Sequence, residues 1–529
     1  MIFKQITAGT FVGLLSVGAF GQEIADAKQR LFFQSINKTS NIASGFDSPV
    51  VSAYNTIKTV GTAQAGYMHQ SGDFTAIDAA KSANQYTVQL EGLKHFSEFN
   101  LEGGIIYDNI AEKKQAWNSG LYLSPNNPFI LANDQAGDRS IEQFKLYAGF
   151  STQVKKWTLG LRADYLTGAL SDEFDPRAKT HAMRFAMQAG TLYQITSQLS
   201  VGLSAKAGWY NSQTSHTTVN NLAPDGVFYL LKGLGNWDKR TASDHENYPR
   251  EYTGNMYGAA IQFLCGNAAS LRANALQIDY TTNKEISLDG SRNLIYRSGD
   301  YFSDRMGVSN TFYWGRHSRW RHQVAVKGVF ETGAGYWYDQ KKEVDTAHGN
   351  INYYKILSKY KINSAHNVHA VLAYDLTIMQ QAIPAYQFSV RSHYTRHHVT
   401  QNDGEIYEEM FDHVCLELQV RKNFLFAHFQ IAPVVMARFV QNVGDPLLQA
   451  KHTEISETYT SPRFGYLSAE RYAIEAGIDM TIPVVGKKQT YFTGLRFYYD
   501  YEQMFGENSC QDLGMPSRSQ YNLNIYLNF

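Results

Sequence analysis

The nine residues "YNLNIYLNF" (521–529) decide how this chain folds. Tyr521, Leu523, Ile525, Leu527 and Phe529 fall on one side, and Asn522, Asn524, Tyr526 and Asn528 on the other. A period of two describes a strand with one apolar and one polar face. Such a strand needs a neighbour on each side, because an unpaired edge recruits other chains. The spacing predicts pairing with a strand at 490–503 and closure against a first strand near Ile57–Gln70, which removes both edges.

The same alternation recurs upstream. Phe99, Leu101, Ile105 and Tyr107 oppose Asn100, Glu102 and Asp108. Trp157, Leu159, Leu161, Ala163 and Tyr165 oppose Arg162 and Asp164. Leu199, Val201, Leu203, Ala205, Ala207 and Trp209 oppose Ser200, Ser204 and Lys206. Runs at 472–482 and 491–500 repeat the pattern, with Glu475, Asp479 and Arg496 on the polar side. These runs approach the 9–11 residues that a tilted strand needs to cross a bilayer, whereas sandwich strands are nearer 5–6. The connections alternate in length. Short turns are expected near Lys94–Glu98, Ser151–Lys156, Ile195–Gln198, Cys265–Ser270, Gly315–Arg321, Met379–Pro384, Arg421–Phe424 and Pro483–Thr490. Long loops are expected at 71–82, 109–140, 167–180, 212–250, 283–301, 333–365, 397–408, 441–465 and 504–517. Short turns at one end and long loops at the other characterise a transmembrane barrel. The expected fold is therefore all-β: an antiparallel up-and-down barrel of about 18 strands, within a range of about 14–20, with short periplasmic turns and long extracellular loops. Trp157, Trp314 and Trp320 flank short turns and Trp209 and Trp337 lie toward the other end, as interface girdles require.

Composition agrees. Lys and Arg total 48 against 48 Asp and Glu, so no global field points to nucleic acid. Charged residues at 18% fall below the usual share for a soluble protein, and only 12 prolines suit a chain of paired strands. The three cysteines, Cys265, Cys415 and Cys510, allow one disulfide but mark no pair, and no CxxC is present.

The N-terminus reads as an export signal over residues 1–21. Lys4 supplies the basic region, Ile6 to Phe20 the apolar region, and Ala19-Phe20-Gly21 the small-residue cleavage site before Gln22. Residues 22–55 form an N-terminal segment, periplasmic or plugging the lumen, too short for the plug domain of an energised receptor. Residues 56–529 form the barrel. No run of about 18 apolar residues follows residue 22, so no membrane helix is expected.

With its export signal, the terminal row Tyr521, Leu523, Ile525, Leu527 and Phe529 resembles the assembly signal of bacterial outer-membrane β-barrel proteins. Within that class the chain is similar to uncharacterised barrels of Bacteroidetes-type bacteria, through "LSPNNPFILANDQAGDRSIEQFKLYAGF" (123–150) and "INKTSNIASGF" (36–46). Lys38 and Thr39 in the latter stand where an Asn-Pro-Ala pattern is common. The resemblance implies an outer-membrane location, contact with outer-membrane lipid, and recognition of the last strand by the barrel-assembly machinery. It lends no activity and no catalytic residues.

Motifs for nucleotides, zinc proteases and EF-hand calcium are absent from the sequence. His393 and His397 in "RSHYTRHHV" (391–399) share a strand face but stand about 13 Å apart, too far for one metal. Asp412 and His413 are neighbours on a strand and so face opposite ways. No enzyme activity, cofactor or metal is expected. "NNPFILAND" (126–134) is an apolar stretch within a long loop, positioned to enter the mouth or to pack on neighbouring loops. The residues expected to line the lumen are Glu102, Arg162, Asp164, Lys206, Lys327, Glu331, Asp375, Glu417, Arg438, Glu475, Asp479 and Arg496, since a basic residue facing lipid at mid-depth costs about 2–4 kcal/mol. They suit either a water-filled path or a salt-bridged filling. The expected function is a transport conduit for an unnamed solute; the alternative is a non-conducting barrel that scaffolds outer-membrane protein partners.

Overall fold

The computed structural model describes Phe32, Ile36, Lys38 and residues 40–529, except 220–225, 243–247, 292–293, 348–350, 381–382, 427–428, 486–489 and 506–514. The proposed signal peptide and Cys510 lie outside the described residues. Eighteen strands run as one antiparallel meander: β1 (Thr59–Gly72), β2 (Ser82–His95), β3 (Phe99–Gln115), β5 (Gly137–Val154), β6 (Trp157–Asp172), β7 (Arg177–Thr196), β8 (Leu199–Thr217), β11 (Tyr248–Cys265), β12 (Arg272–Ser291), β13 (Leu294–Trp314), β14 (Trp320–Asp345), β15 (Ile351–Gln380), β16 (Ile383–Asn402), β17 (Ile406–Lys422), β19 (Gln430–Asn442), β21 (Arg471–Val485), β22 (Thr490–Met504) and β23 (Ser517–Asn528). β23 pairs with β22 on one side and β1 on the other, which closes the sheet. Phe529 and Gly61 exchange backbone hydrogen bonds of 2.8 and 2.9 Å at the seam.

The apolar rows face outward. Tyr521, Leu523, Ile525 and Leu527 are exposed while Tyr526 and Asn528 are buried inside. Leu203, Ile261, Ile278 and Val308 sit side by side in register on four consecutive strands, all exposed. An exposed apolar belt on a closed barrel is a lipid-facing surface, and this architecture belongs to the bacterial outer membrane. Among the described residues no helix is long and apolar enough to cross a membrane.

The short turns fall where expected except at Arg421–Phe424, where the strands continue and the hairpin closes between Phe426 and Phe429. Four of the expected long loops do not fall where expected. β6 and β7 continue to Asp172 and from Arg177, across 167–180; β12 and β13 run to Ser291 and from Leu294; β14 and β15 fill most of 333–365; β16 and β17 continue to Asn402 and from Ile406. In "TTNKEISLDG" (281–290) the outward row mixes Thr282 and Lys284 with Ile286 and Leu288, so the alternation weakens and the stretch reads as loop. Above the membrane the outer face meets water, so pairing persists after the apolar alternation has ended. β15 reaches 30 residues, about three times what a crossing needs. Trp157 and Trp320 are exposed beside short turns, and Trp314 stacks on His322 there at 4.7 Å. Trp337 departs from the girdle expectation: it packs on Phe129 and under the Lys232 ammonium.

Two layers fill the barrel. At the periplasmic end, residues 40–58 lie against the inner wall, with Ile42, Ala43 and Phe46 clustered on Leu192, Leu264, Ala273, Ala275 and Tyr313. At the extracellular end, the 116–136 loop turns inward. Its Leu131–Ala132 (β4) pairs with Gly226–Leu231 (β9), which pairs with Trp237–Ala242 (β10), forming a small separate sheet. Ile455 and Tyr459 pack against Ala132, Tyr229 and Leu231 of this sheet, and a short helix, Ser461–Leu467, follows them. "NNPFILAND" therefore enters the mouth, with Phe129 fully buried against the strands.

Candidate functional site: the filled lumen and its charged cavities

Small side chains on the wall allow the N-terminal segment to approach closely. A Cβ on Gly160 would lie 2.6 Å from the Pro49 carbonyl carbon, and one on Gly190 would lie 2.5 Å from Ser48 Oγ. Polar contacts then fix the segment. Ser52 donates to Ser151 Oγ at 2.8 Å, the Asp47 N–H to Gln277 Oε1 at 3.0 Å, and Gln188 Nε2 to the Asp47 carbonyl at 2.8 Å. Lys38 pairs with Asp375 at 2.8 Å. Arg316 donates to the Ser40 carbonyl at 2.5 Å, and Arg321 to Ser40 Oγ at 2.8 Å.

The inward loop is held by acceptors of the wall. Glu285 accepts Ser124 Oγ at 2.7 Å and Asn127 Nδ2 at 2.9 Å, and Glu331 accepts Asn126 Nδ2 at 3.2 Å. Trp117 stacks between Tyr229 and Tyr459, at 5.4 and 5.2 Å. Burial, aided by Asp134, pushes the Tyr229 hydroxyl up to about 12. Burial opposes the charge on Arg463 of the short helix, but Tyr459, Glu409 and Asp78 hold it above the ordinary guanidinium range.

Between the N-terminal segment and the barrel wall lie two cavities. One, of about 360 Å³, is bounded by Phe32 and Asn55 of the N-terminal segment and by wall residues including Glu91, Glu102, Arg421, Asp479 and Arg496. The other, of about 530 Å³, is bounded by residues 46–52 and by Glu102, Arg162, Asp164 and Lys206. Asn55 and Glu102 border both.

The expected lumen residues divide into several sets. Arg162 contacts Glu102 at 3.6 Å and Asp164 at 2.9 Å. Arg496 contacts Asp479 at 3.3 Å. Glu417 pairs with Arg391 at 2.5 Å and Arg438 with Asp500 at 3.9 Å. Asp375 and Glu331 are taken by Lys38 and Asn126 of the filling layers. Glu475 lies in register with Asp500. Lys206 and Lys327 have no ion-pair partner among the described residues, and Lys327 is exposed although it lies opposite the outward row. Sequence reading missed Glu91 and Arg421. Glu91 was detectable, since Val88 and Leu90 alternate with Gln89 and Glu91. Arg421 was assigned to a turn, yet β17 extends to Lys422 and Arg421 reaches Asp479 at 3.1 Å.

The histidine-rich stretch lies wholly within β16. His397 bonds Glu409 at 2.8 Å and Asn367 at 3.0 Å, and His398 bonds Glu408 at 2.8 Å. Asp412 approaches Arg396 at 3.8 Å while His413 is buried beside Phe411. Among the described residues no three metal-ligating side chains converge. Cys265 and Cys415 are free thiols.

Solved structures with a similar course include the RagAB peptide transporter (6% identity, TM-score 0.41, covering 89% of this chain and 86% of that one) and a FadL homologue of Pseudomonas aeruginosa (8%, 0.35, 97% and 99%). The ferric preacinetobactin receptor BauA of Acinetobacter baumannii is also similar (9%, 0.36, 88% and 80%). No curated protein matches the sequence. Residues 49–529 match the model of a family of unknown function, DUF6850, and the chain belongs to that family.

Proposed function

We propose that this protein is a gated conduit of the outer membrane, non-enzymatic, which passes a small polar solute when the N-terminal segment withdraws. The observation that carries the reading is the solvation of the inward charges. The side chains of Glu102, Arg162 and Asp164 keep 22%, 29% and 36% of their exposure while facing a cavity. A salt-bridged filling would dehydrate such groups, and burying charge without full pairing is costly. Hydrated space behind the plug leaves a path that opens to the periplasm when the plug moves, past a mouth narrowed by the inward loop. An always-open porin is a poorer fit, because both ends are filled by packed chain.

Conductance in planar bilayers tests this. The full chain is expected to be closed or to flicker, and deletion of residues 32–55 to give steady ohmic current. A folded deletion variant that stays silent would overturn the conduit reading.

A second reading, a barrel that scaffolds outer-membrane partners, is favoured by the β14–β15 ribbon. Beyond Tyr336 the two strands pair only with each other. Val344, Ile351, Ile356, Leu357 and Tyr360 are exposed there. A silent barrel that keeps a fixed stoichiometric partner through purification would support it.

A further inference from the structure

The geometry points to a solute class: the twin cavities form a binding site for a small zwitterion with a free ammonium and a free carboxylate, such as a short peptide. This inference rests on the conduit reading and deepens it.

The charges in the two adjoining cavities, which share Asn55 and Glu102, are segregated. At one corner Arg421 and Arg496 share a single carboxylate, Asp479, at 3.1 and 3.3 Å. Tyr526 also donates to Asp479, at 2.6 Å, so both carboxylate oxygens are engaged. Arg496 uses only Nε for Asp479, and its other N–H groups have no hydrogen-bond acceptor among the described residues. Tyr526 lies under the Arg496 guanidinium at 4.9 Å and fixes its plane. That corner holds one surplus positive charge with oriented spare donors, which is the chemistry that takes a carboxylate.

The other corner is its opposite. Glu91, Glu102, Asp164 and Asp47 face the cavities, against Arg162 and Lys206. Arg162 is already engaged by Glu102 and Asp164 and lies over the Tyr147 ring at 4.6 Å. Glu91 accepts one hydrogen bond from Tyr147 at 2.7 Å, leaving its second oxygen free among the described residues. A surplus of carboxylates beside acceptor oxygens suits an ammonium. Between the corners, on β23, β1 and β2, the wall is uncharged and polar: Asn528, Thr62, Gln64 and Gln89. Beyond the arginine corner, Gln430 on β19 also borders the cavity; it is 6% exposed, and its Oε1 has no hydrogen-bond donor among the described residues. Such an acceptor is matched by a peptide N–H.

Arg496 on β22 and Glu91 on β2 are three strand spacings apart and four residues out of register, about 19 Å between their backbones. With both side chains reaching inward, the gap suits an extended chain of about three residues, at about 3.3–3.6 Å each. The cavity volumes fall in the range that holds small ligands.

The test is calorimetric binding to the detergent-purified full chain, with trialanine, N-acetyl-trialanine, trialanine amide and sucrose. Trialanine is expected to bind, and capping either end to weaken binding at least tenfold. Arg496→Gln removes the penalty for amidation and leaves that for acetylation; Glu91→Gln does the reverse; Arg496→Lys retains much of the binding. Circular dichroism shows whether each variant keeps the barrel. Equal binding of all four probes, or of none, overturns the zwitterion site. Failure of the plug-deleted barrel to conduct would instead remove the conduit reading, so the two failures are distinguishable.

Discussion

Replacing Gly160 by leucine should unlock the barrel from inside. Gly160 faces the N-terminal segment, and an added Cβ alone would meet the Pro49 carbonyl carbon at 2.6 Å and the Val50 nitrogen at 2.7 Å. Ordinary contact begins at 3.4 Å, so backbone must move by about 0.8 Å for the first carbon and further for the rest of the side chain. The wall cannot give, because β6 is paired on both sides. The segment must lift. Val50 is fully buried and Ser52 donates to Ser151. Losing the valine burial costs about 1.5–3 kcal/mol and the hydrogen bond about 0.5–1.5 kcal/mol. The sum of about 2–4.5 kcal/mol shifts the closed-to-open balance by about thirtyfold to 1,600-fold. Single-channel recording reads this as open probability. Gly328→Ala is the control, since a Cβ there meets nothing within 4 Å. If Gly160→Leu folds and remains as closed as the parent, the N-terminal segment is not the gate.

Other consequences are equally direct. Leu203→Arg places a charge in the lipid-facing row and should lower stability in vesicles by about 2–4 kcal/mol, whereas Lys206→Leu on the inner face should stay within about 0.5 kcal/mol; urea unfolding compares them. Asp289→Ala leaves the buried Arg250 without the carboxylate that it contacts at 2.5 and 2.8 Å and should cost about 3–5 kcal/mol in the same assay. The Tyr229 hydroxyl is raised in the folded chain, so the native state holds its proton longer than the unfolded state does. Its stabilising contribution is complete below pH about 10 and is lost as pH rises to about 12; Trp117 fluorescence should change over that window, and Tyr229→Phe should abolish the change.

The sequence by itself determined the architecture because a transmembrane strand writes its environment residue by residue. Lipid on one side and water on the other force a period of two, as in Leu203, Ala205 and Ala207 against Ser204 and Lys206. The same rule located the seam of β1 with β23 and the short turns, apart from the one expected at Arg421–Phe424. It failed above the membrane, at 283–301 and 333–365, because strands with water on both sides need no alternation. Which charges meet was decided by the tertiary structure alone. Asp479 and Arg421 are 58 residues apart in the chain, Lys38 and Asp375 much further, and strand stagger brings them together. The filling of the lumen was legible only as an alternative: 22–55 read as plugging or periplasmic, and 126–134 as entering the mouth or packing on loops. Residues 40–58 and the 126–134 loop carry no periodicity of their own, and their places are set by glycines and carboxylates on a wall that exists only once the barrel has closed.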